Sequence, residues 1–417
     1  MKQKLKYIIF IGILSILTLF FIPNKVNAAT YKDEETGITW TYTVSDNTAI
    51  DVYITSYTTL PETLEIPETI DGYTVTSICG SNTSMGSGST ERYNILKTNK
   101  ANTEVKSIVI PETINTIGVN TFANFQGLTS IVIPDKVSSI SAYAFYNCSN
   151  LVEIKLPATV SLYTYTNTYT SSLERAAFYK CTKISKITIT PGATASGVTK
   201  GITQTLTSTT ARYMPWYITR TQFDLILEDG ITQISDYSFY NGSYMKSVKM
   251  PNTLEIIGMN AFYNCTKLKE IELPDTLKTV KTNAFYYCNG IETMNFPTSI
   301  TAIGNNAFSG CINWKLENIT FSENIIELGQ NAFYNCKYLT GTLELPNVFT
   351  EVPPNCFYGT GIPTIIMVLR QKRENDDVLI IDASKNFIKS GKNNKLQASD
   401  IKRILDTVIA RKDKPKF

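Results

Sequence analysis

The stretch NAFYNCTKLKEIELPDTLKTVKTNAFYYC, residues 260–288, begins and ends with nearly the same motif. Phe262 and Phe285 each follow an alanine, and a cysteine stands three residues after each phenylalanine. Most successive copies are 23 to 25 residues apart, with two longer gaps of 33 and 61 residues, at positions 122, 145, 178, 239, 262, 285, 308, 333 and 357. A period of about 20 to 29 residues is typical of a solenoid built from stacked coils.

A short alternating run that ends in proline lies between most of these phenylalanines. The runs read SIVIP at 107–111 and 130–134, then EIKLP, SVKMP, EIELP, TMNFP and LELP. Period-two alternation predicts a β-strand with one apolar face, and proline ends it because it lacks an amide donor. We therefore expect one short strand per coil, paired in a parallel sheet along the stack.

The recurring phenylalanine is predicted to be the core residue of each coil. Its neighbour is alanine in most copies, which would allow the segment to approach the strand layer closely. The fold class predicted from this pattern is a repeat solenoid poor in α/β character, with a structural core made by Phe122, Phe145, Phe262, Phe285, Phe308 and Phe333.

The repeat NAFxxCxxLxxIxLPxTLxxIG, matched with small departures by residues 260–280 and 283–303, resembles the BspA-like leucine-rich repeat family of secreted and surface proteins. The resemblance covers about residues 60–360. GITWTYTVSDNTAIDVYI, which contains Trp40 and Tyr42, resembles the N-terminal entry of that family, a β-hairpin that caps the first coil. The resemblance implies a leucine-rich-repeat-like stack with a parallel β-sheet, used for binding and adhesion.

Residues 1–28 have the pattern of a secretory signal peptide. Lys2, Lys4 and Lys6 precede an apolar run over residues 7–22, and Val-Asn-Ala at 26–28 is typical of a cleavage site. An uncleaved anchor is the alternative, and no later membrane span is expected. The leader removes four lysines and no acid, so 35 basic and 36 acidic side chains remain. This balance predicts no general attraction to nucleic acid, and we expect a secreted or cell-surface protein.

The chain contains no histidine, which excludes Ser-His-Asp and Cys-His catalysis and HExxH metal sites. We predict no catalytic residue, no metal site, no cofactor and no enzymatic activity. Six cysteines share one place in the repeat, at 148, 181, 265, 288, 311 and 336. One cysteine per coil favours a column of buried free thiols, with disulfides as the alternative in a secreted chain.

Two insertions interrupt the period, at about 158–176 and 192–223, and both contain aromatic residues suited to ligand contact. The candidate binding residues there are Tyr163, Tyr165, Tyr169, Trp216 and Tyr217. A second candidate surface is the outward row of the strands, with Lys155, Lys249, Glu272 and Asn295. The alternatives are aromatic rings packed on their own coil and a solvated sheet face. The expected partner is a host, matrix or cell-surface protein or glycan.

Residues 363–417 leave the period and hold 13 basic and 7 acidic side chains. Apolar runs at 365–369 and 378–381 predict buried strands, and an apolar stripe after Ser399 predicts a helix, so a small α/β tail is expected. FYGTGIPTIIMVLRQKRENDDVLIIDASKNF resembles the C-terminal part of the modification subunit of type I restriction–modification systems, an adenine-N6 DNA methyltransferase. The resemblance covers about residues 357–412.

That methyltransferase family uses an Asn-Pro-Pro-Tyr or Asn-Pro-Pro-Phe motif to act on a flipped adenine. Here Pro353 and Pro354 follow Val352, so no catalytic residue is carried over. The predicted organisation is a signal peptide (1–28), an N-terminal cap with the first repeat (29–78), a solenoid (79–362) and a methyltransferase-like fragment (363–417). A hybrid without methyltransferase activity is the alternative function, and in a third reading the repeat half of such a hybrid is merely structural.

Overall fold

The computed structural model describes residues 28–79, 94–162, 176–192, 220–346, 349, 352–362, 364–367, 387–390 and 393–396. Within these ranges every regular element is a β-strand. The predicted leader and the predicted C-terminal helix lie outside them, apart from Ala28.

The strands predicted from the proline-ended runs form a first row along one side of the stack. Most of this row pairs in parallel, for example with Ile154 opposite Ile187 and Val248 opposite Ile271. Because side chains alternate, most isoleucines, leucines and valines of these strands face inward, whereas Val109 and Val132 face outward and are exposed. This arrangement confirms the predicted stack with a parallel sheet. The first row consists of β4 (Thr63–Glu65), β8 (Ser107–Val109), β10 (Ser130–Val132), β12 (Glu153–Pro157), β14 (Lys186–Thr190), β15 (Phe223–Leu227), β17 (Met245–Lys249), β19 (Glu270–Ile271), β21 (Thr293–Met294), β23 (Leu316–Thr320), β25 (Leu339–Leu345) and β26 (Thr364–Met367).

A second row of two-residue strands follows the prolines, so most coils contribute two strands and not the one expected. These strands also pair in parallel, as Thr279 does with Ala302 and Val280 with Ile303. In each pair of residues the second side chain is buried. The second row consists of β7 (Ser77–Ile78), β9 (Thr116–Ile117), β11 (Ser139–Ile140), β13 (Ser161–Leu162), β16 (Gln233–Ile234), β18 (Ile256–Ile257), β20 (Thr279–Val280), β22 (Ala302–Ile303) and β24 (Glu327–Leu328).

An antiparallel meander caps the N-terminal end, as the fold class predicted. It contains β1 (Ala28–Lys32), β2 (Thr39–Ser45) and β3 (Thr48–Ser56), and the small hairpin β5 (Thr69–Ile70) and β6 (Tyr73–Val75) pairs with β3. Val52 of β3 lies opposite Ile78 of β7, which joins the cap to the second row. Trp40 and Tyr42 are buried, and the Tyr42 hydroxyl donates to Asp71 Oδ2 at 2.6 Å. The cap thereby covers the apolar end of the first coil.

The phenylalanines form a column through the core. All six predicted core residues are fully buried, and Phe285 stacks between Phe262 at 5.2 Å and Phe308 at 5.5 Å between ring centroids. Backbone bonds join the turns coil to coil, with the Phe262 amide donating to the Ala284 carbonyl at 2.8 Å. The dry interior is therefore continuous between neighbouring coils.

The cysteines form a second column beside the phenylalanines. All eight are free thiols, and all except the half-buried Cys79 are buried. Each of the six repeat cysteines donates its thiol to the carbonyl of the phenylalanine in the preceding coil, as Cys288 does to Phe262 at 2.9 Å. Cys356 instead occupies the alanine position just before Phe357, where it is also buried.

Two residues in the turn around each phenylalanine except Phe178 have a left-handed backbone. They stand two residues before and two residues after the ring, and φ at Asn260 and Asn264 is 55° and 60°. Asparagine adopts this conformation more readily than other residues with a side chain, because its short amide can hydrogen-bond locally. The frequent Asn-x-Phe-x-Asn spacing of the repeat is thus a backbone requirement.

The stack continues past the predicted boundary at residue 362. Phe357 stacks on Phe333 at 5.2 Å, and Tyr358 stacks on Tyr334 at 5.4 Å. Strand β26 then pairs in parallel with β25, with Leu343 opposite Ile365. The other strands of the tail, β27 (Phe387–Ser390) and β28 (Asn393–Leu396), pair antiparallel with each other.

Candidate functional surfaces

The outward face of the first row contains four of the predicted binding residues, and they have different surroundings. Lys155 Nζ lies 2.8 Å from Glu228 Oε1, and both side chains are about two-fifths exposed, each at 39%. Lys249 and Glu272 are exposed. This face also carries a Lys–Glu pair between neighbouring strands, Lys186 with Glu153 at 3.2 Å. Such exposed pairs contribute little to stability, so this face is a solvated surface of mixed charge.

The Asn295 side chain hydrogen-bonds to the backbone of the preceding coil. Its side-chain oxygen accepts from the Leu273 amide at 2.6 Å, and its side-chain nitrogen donates to the Leu273 carbonyl at 2.7 Å. Strand β21 ends at Met294, so this amide continues the ladder by one residue in place of backbone groups. Asn295 is therefore engaged along both edges of its amide, although its side chain is exposed.

The aromatic residues of the insertions remain predictions. Tyr163, Tyr165, Tyr169, Trp216 and Tyr217 lie outside the residues that the structure describes.

A third surface, which sequence reasoning missed, is a column of tyrosines on the exterior of the turns. Each ring follows the core phenylalanine by one residue, except Tyr287, which follows by two. Tyr240, Tyr263 and Tyr286 stack at 5.0 and 5.1 Å between centroids. We call this column the tyrosine ridge; it consists of Tyr146, Tyr179, Tyr240, Tyr263, Tyr286, Tyr287, Tyr334 and Tyr358. The signal was present in the recurring Ala-Phe-Tyr triplet, which was interpreted only through its phenylalanine.

The stacking of the ridge tyrosines is interrupted at Tyr287. This ring is 49% exposed and stands edge to face against Tyr286, with centroids 4.5 Å apart and planes at 89°. The next coil has the buried Ser309 where the ridge tyrosine would stand. Burial, followed by the neighbouring Tyr287 and Tyr263, raises the pKa of Tyr286. Tyr286 is thus a half-buried ring beside Tyr287, the most exposed ring of the ridge.

The turns that carry the ridge hold one charged residue over six consecutive coils, Asp236, whose Oδ1 accepts from the Met259 amide at 2.8 Å. None of the residues in the segments 237–242, 259–265, 282–288, 305–311, 330–336 and 355–360 is Asp, Glu, Lys or Arg. Charged residues make up 18% of the chain, so these segments are poorer in charge than the chain as a whole. The amides of neighbouring turns can bond to each other, as Asn264 Nδ2 does to Asn241 Oδ1 at 2.9 Å.

A shallow groove of about 460 Å³ lies near the start of the stack, between Lys106 and Lys183. Both lysines already bond within the protein, Lys106 Nζ to the Thr103 carbonyl at 2.6 Å and Lys183 Nζ to Asn150 Oδ1 at 2.7 Å. In the portion of the chain covered by coordinates, no three carboxylate or thiol groups converge as metal ligands. A search of the same portion finds no helix long and apolar enough to span a membrane.

Comparison with known families agrees with this architecture. The model of the BspA-type leucine-rich repeat region matches six copies over residues 97–198 and 232–367, more than half of the chain. The protein therefore belongs to the BspA-type leucine-rich repeat family, which confirms the resemblance drawn from the repeat.

A second family model, the N-6 DNA methylase, matches residues 321–417 and overlaps the last coils of the stack. A methylase subunit of the type I restriction enzyme MpnII from Mycoplasma pneumoniae is 35% identical over 68 residues. That match covers 16% of this chain and only 12% of the methylase subunit. The hybrid composition expected from the tail is confirmed at the level of sequence similarity.

Solved leucine-rich repeat proteins are also similar. A leucine-rich repeat protein of T. pallidum is 28% identical, with 33% of this chain and 68% of that chain covered and a TM-score of 0.30. A leucine-rich cell surface protein of Faecalibacterium prausnitzii is 20% identical, with 82% and 95% covered and a TM-score of 0.31.

Proposed function

We propose that the protein is a secreted or cell-surface binding module that acts without catalysis, as an adhesion protein for host, matrix or cell-surface proteins or glycans. The observation that carries the proposal is the repeated exterior of the stack. One position of the coil is presented outward in coil after coil, as with the tyrosines from Tyr240 to Tyr286, so a long ligand can meet equivalent side chains in series.

The N-terminal sequence supports the location. Residues 1–28 combine Lys2, Lys4 and Lys6 with an apolar run and a small-residue cleavage motif. Export would leave a mature chain of almost balanced charge, which favours contacts of mixed polar and aromatic character over electrostatic capture of nucleic acid. The insertion residues Tyr163, Tyr165, Tyr169, Trp216 and Tyr217 are proposed contacts, because tyrosine and tryptophan bury much area at small entropic cost.

A pull-down tests this function. The full chain is immobilised, incubated with extracellular-matrix and cell-surface extracts, and the retained proteins and glycans are identified. A variant with residues 163–169 replaced by Gly and Ser is the matched comparison, because it removes three aromatic rings from an insertion. We expect saturable capture that is weaker with the variant. Absence of saturable capture from every extract would refute the proposal.

We further propose that the methylase-like tail transfers no methyl group in this chain. The match covers an eighth of the methylase subunit, and the Pro353-Pro354 pair lacks the preceding asparagine of the family motif. Transfer of label from S-adenosylmethionine to unmethylated DNA, measured with the purified full chain, tests this directly. Incorporation above that of a heat-denatured sample would overturn it.

The methylase-like region instead has a structural role in this proposal, because its match begins within the stack, at residue 321, and includes the last coil. Phe357 and Tyr358 extend the two ring columns, and β26 adds to β25. A Cβ added at Gly361 would stand 2.7 Å from the Lys337 carbonyl oxygen, so glycine is required where this coil closes against its neighbour. Limited proteolysis should leave a resistant fragment that ends beyond Met367. A fragment that ends near residue 356 would contradict this role.

A further inference from the structure

The tyrosine ridge departs from its repeat in two adjacent coils at Tyr287, Ser309 and Gly310. In the first coil Tyr287 occupies the turn position that most other coils fill with asparagine, as at Asn241, Asn264 and Asn335, and that Lys180 and Gly359 fill in two others. In the next coil Ser309 and Gly310 replace the usual Tyr-Asn pair. The consensus residues of a repeat protein are explained by packing between coils. The exceptions at Tyr287 and at Ser309-Gly310 add no large side chain to the core, so packing does not explain them.

The backbone at Tyr287 is unfavourable for its side chain. Its φ is 57°, in the left-handed region, which asparagine and glycine enter readily and bulky residues seldom do. The ring gains little burial in return, since it is 49% exposed. Tyr143 and Tyr237 have the same left-handed backbone, each with φ of 60°, but both are half-buried, so Tyr287 differs from them in its exposure. Strained backbone positions are concentrated at functional sites.

The adjacent coil provides the space that this ring needs. Gly310 has φ of 80°, and a Cβ built on it would stand 3.1 Å from Cδ1 of Tyr287. An asparagine at 310 would therefore crowd the ring, and a tyrosine at 309 would add a ring to the same ridge. Because Ser309 and Gly310 stand in place of the usual Tyr-Asn pair, the Tyr287 ring has room to lie perpendicular to the Tyr286 ring. It is therefore not stacked in the column like its neighbours.

The chemistry around Tyr287 selects the ligand class. The surrounding turns offer phenol and amide groups and carry no charge, whereas the strand faces hold the ion pairs, such as Lys269 with Glu292 at 3.3 Å. Within residues 282–288 and 305–311 a charged ligand would find no side chain of opposite charge. A neutral saccharide matches the surface, because its C–H faces can lie on an open aromatic ring while its hydroxyls bond to neighbouring phenols and amides.

We infer that Tyr287, with Tyr286 and the open turn at Gly310, is a binding subsite for a neutral polysaccharide that lies along the tyrosine ridge. The inference rests on the proposed binding function and deepens it by naming the site and the ligand class. It predicts that Tyr287→Asn, which restores the consensus residue of the repeat, weakens polysaccharide binding while the protein still folds.

The experiment is affinity electrophoresis of the full chain in gels that contain dextran, yeast mannan or hydroxyethyl cellulose, with heparin and hyaluronan as anionic polymers. We expect retardation by at least one neutral polymer. Tyr287→Asn should weaken that binding about tenfold, which corresponds to roughly 1.4 kcal/mol. Its melting temperature should be equal or higher, because asparagine fits the left-handed backbone better than tyrosine.

Two further variants make the test specific. Gly310→Asn keeps Tyr287 and restores the consensus in the next coil, so it should weaken binding by crowding the ring. Tyr338→Asn removes a ring that is 53% exposed outside the ridge and should leave binding unchanged. Unchanged binding by Tyr287→Asn, retardation by anionic polymers alone, or no retardation by any polymer would overturn the inference. Capture from matrix extracts would still decide the broader binding function.

Discussion

The contribution of the phenylalanine column to stability can be tested by removing one ring from its middle. Phe285 is fully buried and has a ring on each side, Phe262 at 5.2 Å with 2° between planes and Phe308 at 5.5 Å with 6°. Phe→Ala in a core costs about 3 to 5 kcal/mol, and each aromatic contact contributes about 0.5 to 1.5 kcal/mol of such a loss. Because two contacts disappear at once, we expect Phe285→Ala to lose about 4 kcal/mol.

The position in the stack gives an internal comparison. Phe357 is 8% exposed and stacks on Phe333, and it lies in the last coil of the phenylalanine column. Phe357→Ala should therefore cost less, about 2 to 3 kcal/mol, near the lower limit for such substitutions. Ile326→Ala, at a side chain that is 75% exposed, serves as the control and should change stability by less than about 0.5 kcal/mol.

Urea denaturation followed by circular dichroism and by tyrosine fluorescence measures these losses. The two probes should report one transition if neighbouring coils unfold together, and separate transitions if the stack breaks at coil 285. A loss below about 1 kcal/mol for Phe285→Ala, or a larger loss for Phe357→Ala than for Phe285→Ala, would refute the argument that the column is a continuous dry core.

Three other predictions follow from local contacts. Burial, followed by the neighbouring cysteine, raises the pKa of Cys265 well above its usual value, so iodoacetamide should label it slowly in the folded chain and quickly in urea; rapid native labelling would contradict its burial. Burial, followed by the bond to Asp71, raises the pKa of Tyr42 to about 12, so its contribution to stability is complete below about pH 10 and is lost as the pH rises towards 12. Tyr42→Phe should flatten the fall in melting temperature over that interval, and an unchanged profile would exclude this contact as the cause. Asn264→Ala should cost about 1 to 2 kcal/mol in urea denaturation, because φ is 60° and its bond to Asn241 is lost, whereas Asn264→Gly should cost less; equal losses would show that the backbone is not the reason for asparagine there.

Much of the architecture could be predicted from the repeat itself. A spacing near 23 residues determined that coils stack, and alternation before each proline determined which strand residues face inward, as Ile271 and Leu273 do. The N-terminal hairpin was predicted from its alternating residues and its resemblance to a known cap. These features depend on residues that are near in sequence or equivalent by one period, so local patterns carry them.

The second row of strands could not be predicted in the same way. Each of its strands, such as Thr279–Val280, contains two residues, which is too short for a periodic signal. They become strands because the same dipeptides in adjacent coils lie in register and bond to each other. The continuation of the stack through β26 was missed for a related reason, since the sequence resemblance of the tail pointed to another family.

The sequence by itself determined the coil, its core phenylalanine and its buried cysteine, because burial of large apolar side chains at one period has few solutions. Only the tertiary structure decided which exterior groups meet. Asn295 was a candidate ligand contact until its amide was placed on the Leu273 backbone, and Tyr287 was one more tyrosine until its ring was placed over Gly310. The exposure and orientation of a surface ring depend on the neighbouring coil, about two dozen residues away in the chain, and a local pattern does not contain that information.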